Sequence, residues 1–307
     1  EGSDDIQITQ LKSGRVFRAE YPVSVSEVFH DGTGYHDAIQ NVVEKPDHLL
    51  QPDHIIGCKH ARQFVVDFGW SRLPAGTFRM GCVEGDSGCL NTERPSHEVR
   101  FLEPFELMEA EVTVGQYMRF VRETGYERPP TPDFSQTDDH PIVLVNWDDA
   151  AAFCRAAGAR LPTEAEWEYG ARGGRGGLVF GWADEVSRDR ANYGAEQCCT
   201  GATGGPDAWV NTAPVKSFPP NDFGLYDMVG NVWEWVDGWL DDDYYGGSPS
   251  IDPPGAVTGY ARIARGGSWL NFPAALRTSV RLPFAQTGQT SNVGVRCARD
   301  GLVSVAE

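Results

Sequence analysis

The stretch Asn221–Trp239, NDFGLYDMVGNVWEWVDGW, is where the reading of this chain starts. Within nineteen residues it holds Trp233, Trp235 and Trp239, together with Asn231, Glu234 and three glycines. The pattern follows neither the helical period nor the alternation of a half-buried strand. An indole is costly to bury unless its N–H finds an acceptor, so the cluster reads as a large aromatic core or as a binding floor. Asn-x-x-Glu in a glycine-bounded turn also offers hard oxygen ligands of the kind calcium prefers.

Three helices are signalled upstream. Thr113 caps VGQYMRFVRETG, in which Val114, Tyr117, Phe120 and Val121 share a face and which stops at Gly125. Asn146 or Asp148 opens WDDAAAFCRAAG, ending at Gly158. Thr163 and Glu166 form a capping-box pattern in RLPTEAEWEYGARGG, with Trp167 and Tyr169 or Ala171 as the inner face and a Gly-Gly stop. PAGTFRMGC, HEVRFLEPFELMEAEVT, RIARGGSW and VGVRCAR read as short strands. Residues 173–220 are a long Gly/Pro/Asn/Asp-rich loop, which in a compact domain is functional or held by ions. Residues 1–70 read as an N-terminal extension of unknown role and 71–307 as the main domain. In the extension His48, His54 and His60 recur in a Pro/Asp-broken stretch with no helical spacing to aim them at one ion.

The chain has 307 residues, with 35 glycines and 20 prolines, which favours turns over regular structure. Its net charge of −18 argues against a nucleic-acid surface, which needs a basic footprint. No apolar run is long enough to span a membrane. Seven cysteines favour an oxidising, extracytoplasmic compartment (periplasmic, secreted or cell surface). Cys82 and Cys89 bracket a small loop and read as a disulfide-closed turn. The adjacent Cys198 and Cys199 either bridge each other or seek different partners, and Cys58 has no assigned partner.

PAGTFRMGC, ERPSHEV, ELMEAEVTVGQYMRFV, HPIVLVNWDDAAAFCRAAGARLPTEAEWEYGARGG, FGLYDMVGNVWEW, ARGGSW and NVGVRCAR, in this order from about residue 73 to 300, together resemble the formylglycine-generating-enzyme (sulfatase-modifying-factor) family. The resemblance implies an α+β fold with low regular secondary structure, a C-type-lectin-like variant. It implies two structural calcium sites: Asn192 and Asp207 with the carbonyls of Tyr193 and Trp209, and Asn231 and Glu234 with the carbonyl of Val229 or Val232. It also implies a disulfide between Cys154 and Cys297, and a ligand groove lined by Ser268, Trp269, Asn271, Arg277 and Arg281, floored by Trp233 and Trp235.

One departure bears on activity. Enzymes of the family use two cysteines, three and eight residues after the serine of the GGS motif, to bind copper and oxidise a substrate cysteine. Counted from Ser268, those places hold Asn271 and Leu276, and no cysteine lies between Cys199 and Cys297. Without thiolates no soft copper site is expected, so no copper cofactor is assigned and no catalytic residue is named. Relatives of the ergothioneine type add a histidine-bearing helical domain that holds iron, for which residues 1–70 are too short and too broken. The expectation is therefore an extracytoplasmic, calcium-stabilised binding or accessory protein recognising a protein, peptide or glycan, with the N-terminal extension as a docking element. The alternative is a divergent oxidoreductase similar to the branch that matures peptide siderophores such as pyoverdine.

Overall fold

The computed structural model describes residues 68–301 and two short strands near the N-terminus, β1 (Gln7–Ile8) and β2 (Phe17–Arg18). The chain divides into two compact units, Glu1–Ala61 and Arg62–Glu307. In the first, β1 and β2 pair antiparallel; Cys58 and the histidine-rich stretch lie outside the described residues.

The second unit begins earlier than residue 71, because Trp70 already pairs with Met108: β3 (Trp70–Leu73) runs antiparallel to β6 (Phe105–Met108). With β11 (Ala298–Asp300) these form a three-stranded sheet in the order β11–β6–β3. β4 (Gly76–Met80) and β5 (His97–Phe101) form a separate hairpin ladder. The four-stranded sheet, ordered β10–β7–β8–β9, joins β7 (Trp233–Leu240), β8 (Ala261–Arg265), β9 (Leu282–Phe284) and β10 (Val293–Gly294).

The opening stretch therefore contains the longest strand among the described residues, where no strand was expected. Its side chains do not alternate because both faces are covered, the condition under which a strand reads as a near-continuous apolar run. Trp233 and Trp235 face a core built around Tyr117, Phe153 and Val293, whereas Val236 and Leu240 belong to a second core with Trp167 and Ile263. The ladder shifts register between Trp235 and Trp239, where Gly238 adopts φ 127°, a conformation closed to most side chains.

The three helices lie where their caps place them. In α1 (Val114–Thr124), α2 (Trp147–Ala156) and α3 (Glu164–Arg172) the N-caps are Thr113, Asn146 and Thr163, each accepting from the backbone N–H three residues on. Gly125 and Gly173 close α1 and α3 in the left-handed conformation. A single turn, α4 (Tyr244–Gly247), completes the set. α3 departs from expectation: every residue from Glu164 to Arg172 is buried, so it has no outer face. Glu164 and Glu168, one turn apart, point into the protein and require buried cations.

Disulfides join Cys154 on α2 to Cys297 beside β11, Cys82 to Cys89, and Cys198 to Cys199. The first spans a sequence separation of 143, for which chain-entropy arguments give about 4–5 kcal/mol.

Candidate functional site

β7 and the loop after β8 bring Trp233, Ser268 and Asn271 of the expected groove into direct contact. The buried Trp233 and Trp235 each find the acceptor that burial demands: Trp233 Nε1 donates to Asn271 Oδ1 at 2.8 Å and Trp235 Nε1 to the Val145 carbonyl at 3.0 Å. Both are core residues, so neither floors an open groove, contrary to expectation. Ser268 is fully buried; its hydroxyl donates to Asn271 Oδ1 and accepts from Asn292 Nδ2 at 3.1 Å. Asn271 is thus held by an indole and a hydroxyl. Leu276 is buried in an apolar cluster with Phe180, Tyr193 and Val229. Trp269 packs edge-on against Phe134 and donates to the Ser291 carbonyl at 3.2 Å.

Arg277 and Arg281, also expected in the groove, are instead buried in ion pairs. Arg277 forks onto Glu93 at 2.7 and 2.8 Å and reaches Asp86 at 2.9 Å, and Ser279 adds a bond to Glu93 at 2.6 Å. Burial works to raise the Glu93 carboxyl, but Arg277 and Ser279 outweigh it and hold it below the usual range. Arg281 forks onto Glu164 at 2.7 and 2.9 Å. Arg265 and Arg172 both grip Glu168, Arg172 at 2.6 Å. Bidentate pairing of this kind satisfies charges that burial alone would make costly. It also explains why α3 carries glutamates on its inner face.

The expected ligand sets for calcium have protein partners. Glu234 is fully buried and accepts from Arg296 at 2.8 Å and from Trp167 Nε1 at 2.6 Å. Asn231 sits at φ 55°, donates to Glu111 at 2.6 Å and accepts from the Ala213 N–H at 2.9 Å. Two acids that the sequence reading passed over join this region. Burial, with the charges of Asp227 and Glu234, pushes Glu111 well up, and burial pushes Asp227 up to about 6. Glu111, Asp227 and Glu234 are thus buried around one guanidinium, Arg296, with Lys216 acting on Asp227 as well, so acids outnumber cations here and a bound cation would be a compensating charge. No three His, Cys, Asp or Glu side chains among the described residues could hold a metal by themselves, so such an ion would also need carbonyl ligands.

At the other expected set, Arg188 takes the oxygens. Its Nη1 donates to the Tyr193 carbonyl at 2.8 Å, the Ala202 carbonyl at 2.9 Å and Asp207 Oδ2 at 2.6 Å, and its Nη2 donates to the Gly194 carbonyl at 2.7 Å. Burial raises the Asp207 carboxyl, opposed by the Trp209 N–H and Arg188. As arranged, this set does not fit calcium. Nothing local in VSRDRAN marks Arg188, because its partners lie up to nineteen residues away in the chain.

A polar cleft of about 1440 Å³ opens beside the Cys82–Cys89 loop. Glu84, Asp86, Asp242 and Asp243 line it together with Arg79 and Arg94. None of the groove residues expected from the sequence lines it.

Few helices, short curled sheets and long loops tied down by buried guanidinium–carboxylate pairs define a scaffold of the formylglycine-generating-enzyme type. Residues 68–301 match the model of the sulfatase-modifying factor enzyme 1-like domain, and the chain belongs to that family. A formylglycine-generating enzyme of Streptomyces coelicolor is 36% identical, over 76% of this chain and 89% of its own length. The inactive C-alpha-formylglycine-generating enzyme 2 of Bos taurus is also 36% identical, over 52% of this chain and 50% of its own. Among solved structures, PvdO from Pseudomonas aeruginosa matches with a TM-score of 0.65 at 31% identity, covering 75% of this chain and 94% of PvdO.

Proposed function

We propose that this protein is a binding or accessory module on a formylglycine-generating-enzyme scaffold, and that it does not oxidise cysteine through copper. The observation that carries this reading is the state of the two positions after Ser268. Leu276 is sealed in an apolar cluster, and the Asn271 amide is held by Trp233 and Ser268. Neither offers the soft thiolate that copper(I) requires. The Ser268 hydroxyl bonds to Asn271, Asn292 and the Leu270 N–H, none of which is a base that could activate it. A relative named as inactive supports a family member of this kind.

The partner is proposed to be a peptide of mixed charge held in the polar cleft, which four carboxylates and the guanidiniums of Arg79 and Arg94 line beside the Cys82–Cys89 loop. The three disulfides support an oxidising compartment outside the cytoplasm. Calcium is proposed only at the position of Glu234 and Asn231, with Asp227 as a further ligand, where it would relieve the repulsion among buried carboxylates. The chain before the second unit, residues 1–61, is proposed as a docking extension.

The second reading, a divergent oxidoreductase, is favoured by the likeness to PvdO. Copper(I) titrated against a competing chelator separates the two. The binding reading predicts no stoichiometric copper in the parent and tight uptake in Asn271→Cys/Leu276→Cys. Stoichiometric copper or iron in the purified parent contradicts it.

A further inference from the structure

The loop between α3 and β7 contains a cation of its own. Arg188 is largely covered, with 18% of its side chain exposed, and Asp207 opposite it is not exposed at all. The guanidinium is surrounded by three carbonyls and one carboxylate, from Tyr193, Gly194, Ala202 and Asp207. Its carbon also lies 4.0 Å from the Tyr193 ring centroid. A hard metal ion prefers such an all-oxygen shell, yet here two of the oxygens expected to bind calcium, the Tyr193 carbonyl and Asp207 Oδ2, already accept from Arg188.

Charge decides between the two occupants. Asp207 is the one carboxylate bonded to Arg188, so a guanidinium leaves the buried set neutral. A divalent ion carries one charge more than Asp207 balances, so in the parent the tethered guanidinium is the better match, and calcium can enter only when that side chain is gone and all the surrounding oxygens are free to bind it. A second sign comes from Asn192. It is 1% exposed, its Nδ2 donates to the Asn211 carbonyl at 2.7 Å, and its Oδ1 has no hydrogen-bond partner. This buried, unpaired oxygen belongs to the residue just before Tyr193 and is a further ligand that Arg188 leaves unused.

We infer that Arg188 is a built-in replacement for a metal ion, clamping residues 188–211 without calcium, and that removing its side chain opens a calcium site made of Asp207, Asn192 and the Tyr193, Gly194 and Ala202 carbonyls. The consequence is that this half of the loop region stays ordered when calcium is scarce.

The test uses the full chain with calcium chloride as the only probe, counting bound ions by equilibrium dialysis and recording thermal midpoints in calcium and in EGTA. Arg188→Ala is expected to bind one more calcium ion per chain than the parent, and to gain thermal stability from calcium beyond the parent's gain. Adding Asp207→Asn to that variant is expected to abolish the extra ion. Equal stoichiometry in parent and Arg188→Ala overturns the inference. Should Arg188→Ala fail to fold in EGTA, its rescue by calcium supports the inference and failure in both media counts against it. The parent supplies an independent arm: Asp207→Asn alone leaves its calcium uptake unchanged, and loss of one ion shows that Asp207 already ligates metal.

Discussion

Asn231 takes a left-handed backbone conformation at φ 55°, which asparagine tolerates better than most residues. Its side chain and backbone bond to Glu111, Ala213, Asn192 and Trp269, tying four segments together. Glu234, three residues on, holds Arg296, which also donates to the carbonyls of Met108 and Tyr226. Glu234→Gln removes the charge opposite a buried guanidinium and is expected to cost about 3–5 kcal/mol in urea unfolding, against under about 1 kcal/mol were the pair solvated. Glu164 gives a pH dependence. Burial alone would raise its carboxyl, but Arg281 and Arg265 prevail and hold it below its unfolded value of about 4.3. Protonation is then linked to unfolding: the pairing stabilises fully above that value and is lost as pH falls through the lower, folded one. Urea midpoints measured from pH 7 to pH 3 should fall on the acid side for the parent and fall less for Glu164→Gln. These acids and their cations were not legible as pairs in the sequence. Arg277 stands 184 residues from Glu93 and Arg281 117 from Glu164, so no local pattern links them.

At the scale of elements, the helices were the legible part, because their start signals are local. Thr113, Asn146 and Thr163 cap as their sequence contexts indicate. Thr163→Ala removes the hydroxyl that accepts from the Glu166 N–H, and should lower stability by about 1 kcal/mol in chemical denaturation. A loss near zero would mean that the bridge between Thr163 and β7 holds the helix start instead. The central strand was not legible. β7 is covered on both faces, so the two-residue period that marks a strand is absent, and Gly238 breaks its register after only three residues. On α3 the expected inner face of Trp167, Tyr169 and Ala171 is buried, but the burial of the opposite face was not legible, for a related reason. Its glutamates are as buried as its tryptophan, and a polarity pattern cannot announce a charge that faces inward.

For the whole molecule, long loops are held by covalent and ionic ties instead of extended sheets. Replacing Cys154 and Cys297 by serine is expected to cost up to about 4–5 kcal/mol, read as a lower guanidinium midpoint under non-reducing conditions. The family was legible because seven short motifs keep their order, and the match over residues 68–301 follows the same span. The site was legible only in part. The motifs located Ser268, Asn271 and Leu276, whereas the openness of the groove depended on side chains that the fold turns inward, Trp233 and Trp235 among them.

The central claim is that the scaffold persists without the family's copper chemistry. It is tested most directly by incubating the purified full chain with copper(I), oxygen and a cysteine-bearing substrate peptide of a formylglycine-generating enzyme, then measuring aldehyde in the peptide by mass spectrometry. The account predicts no aldehyde above the protein-free control, with intact peptide recovered. Catalytic turnover of cysteine to aldehyde by the parent chain would contradict it.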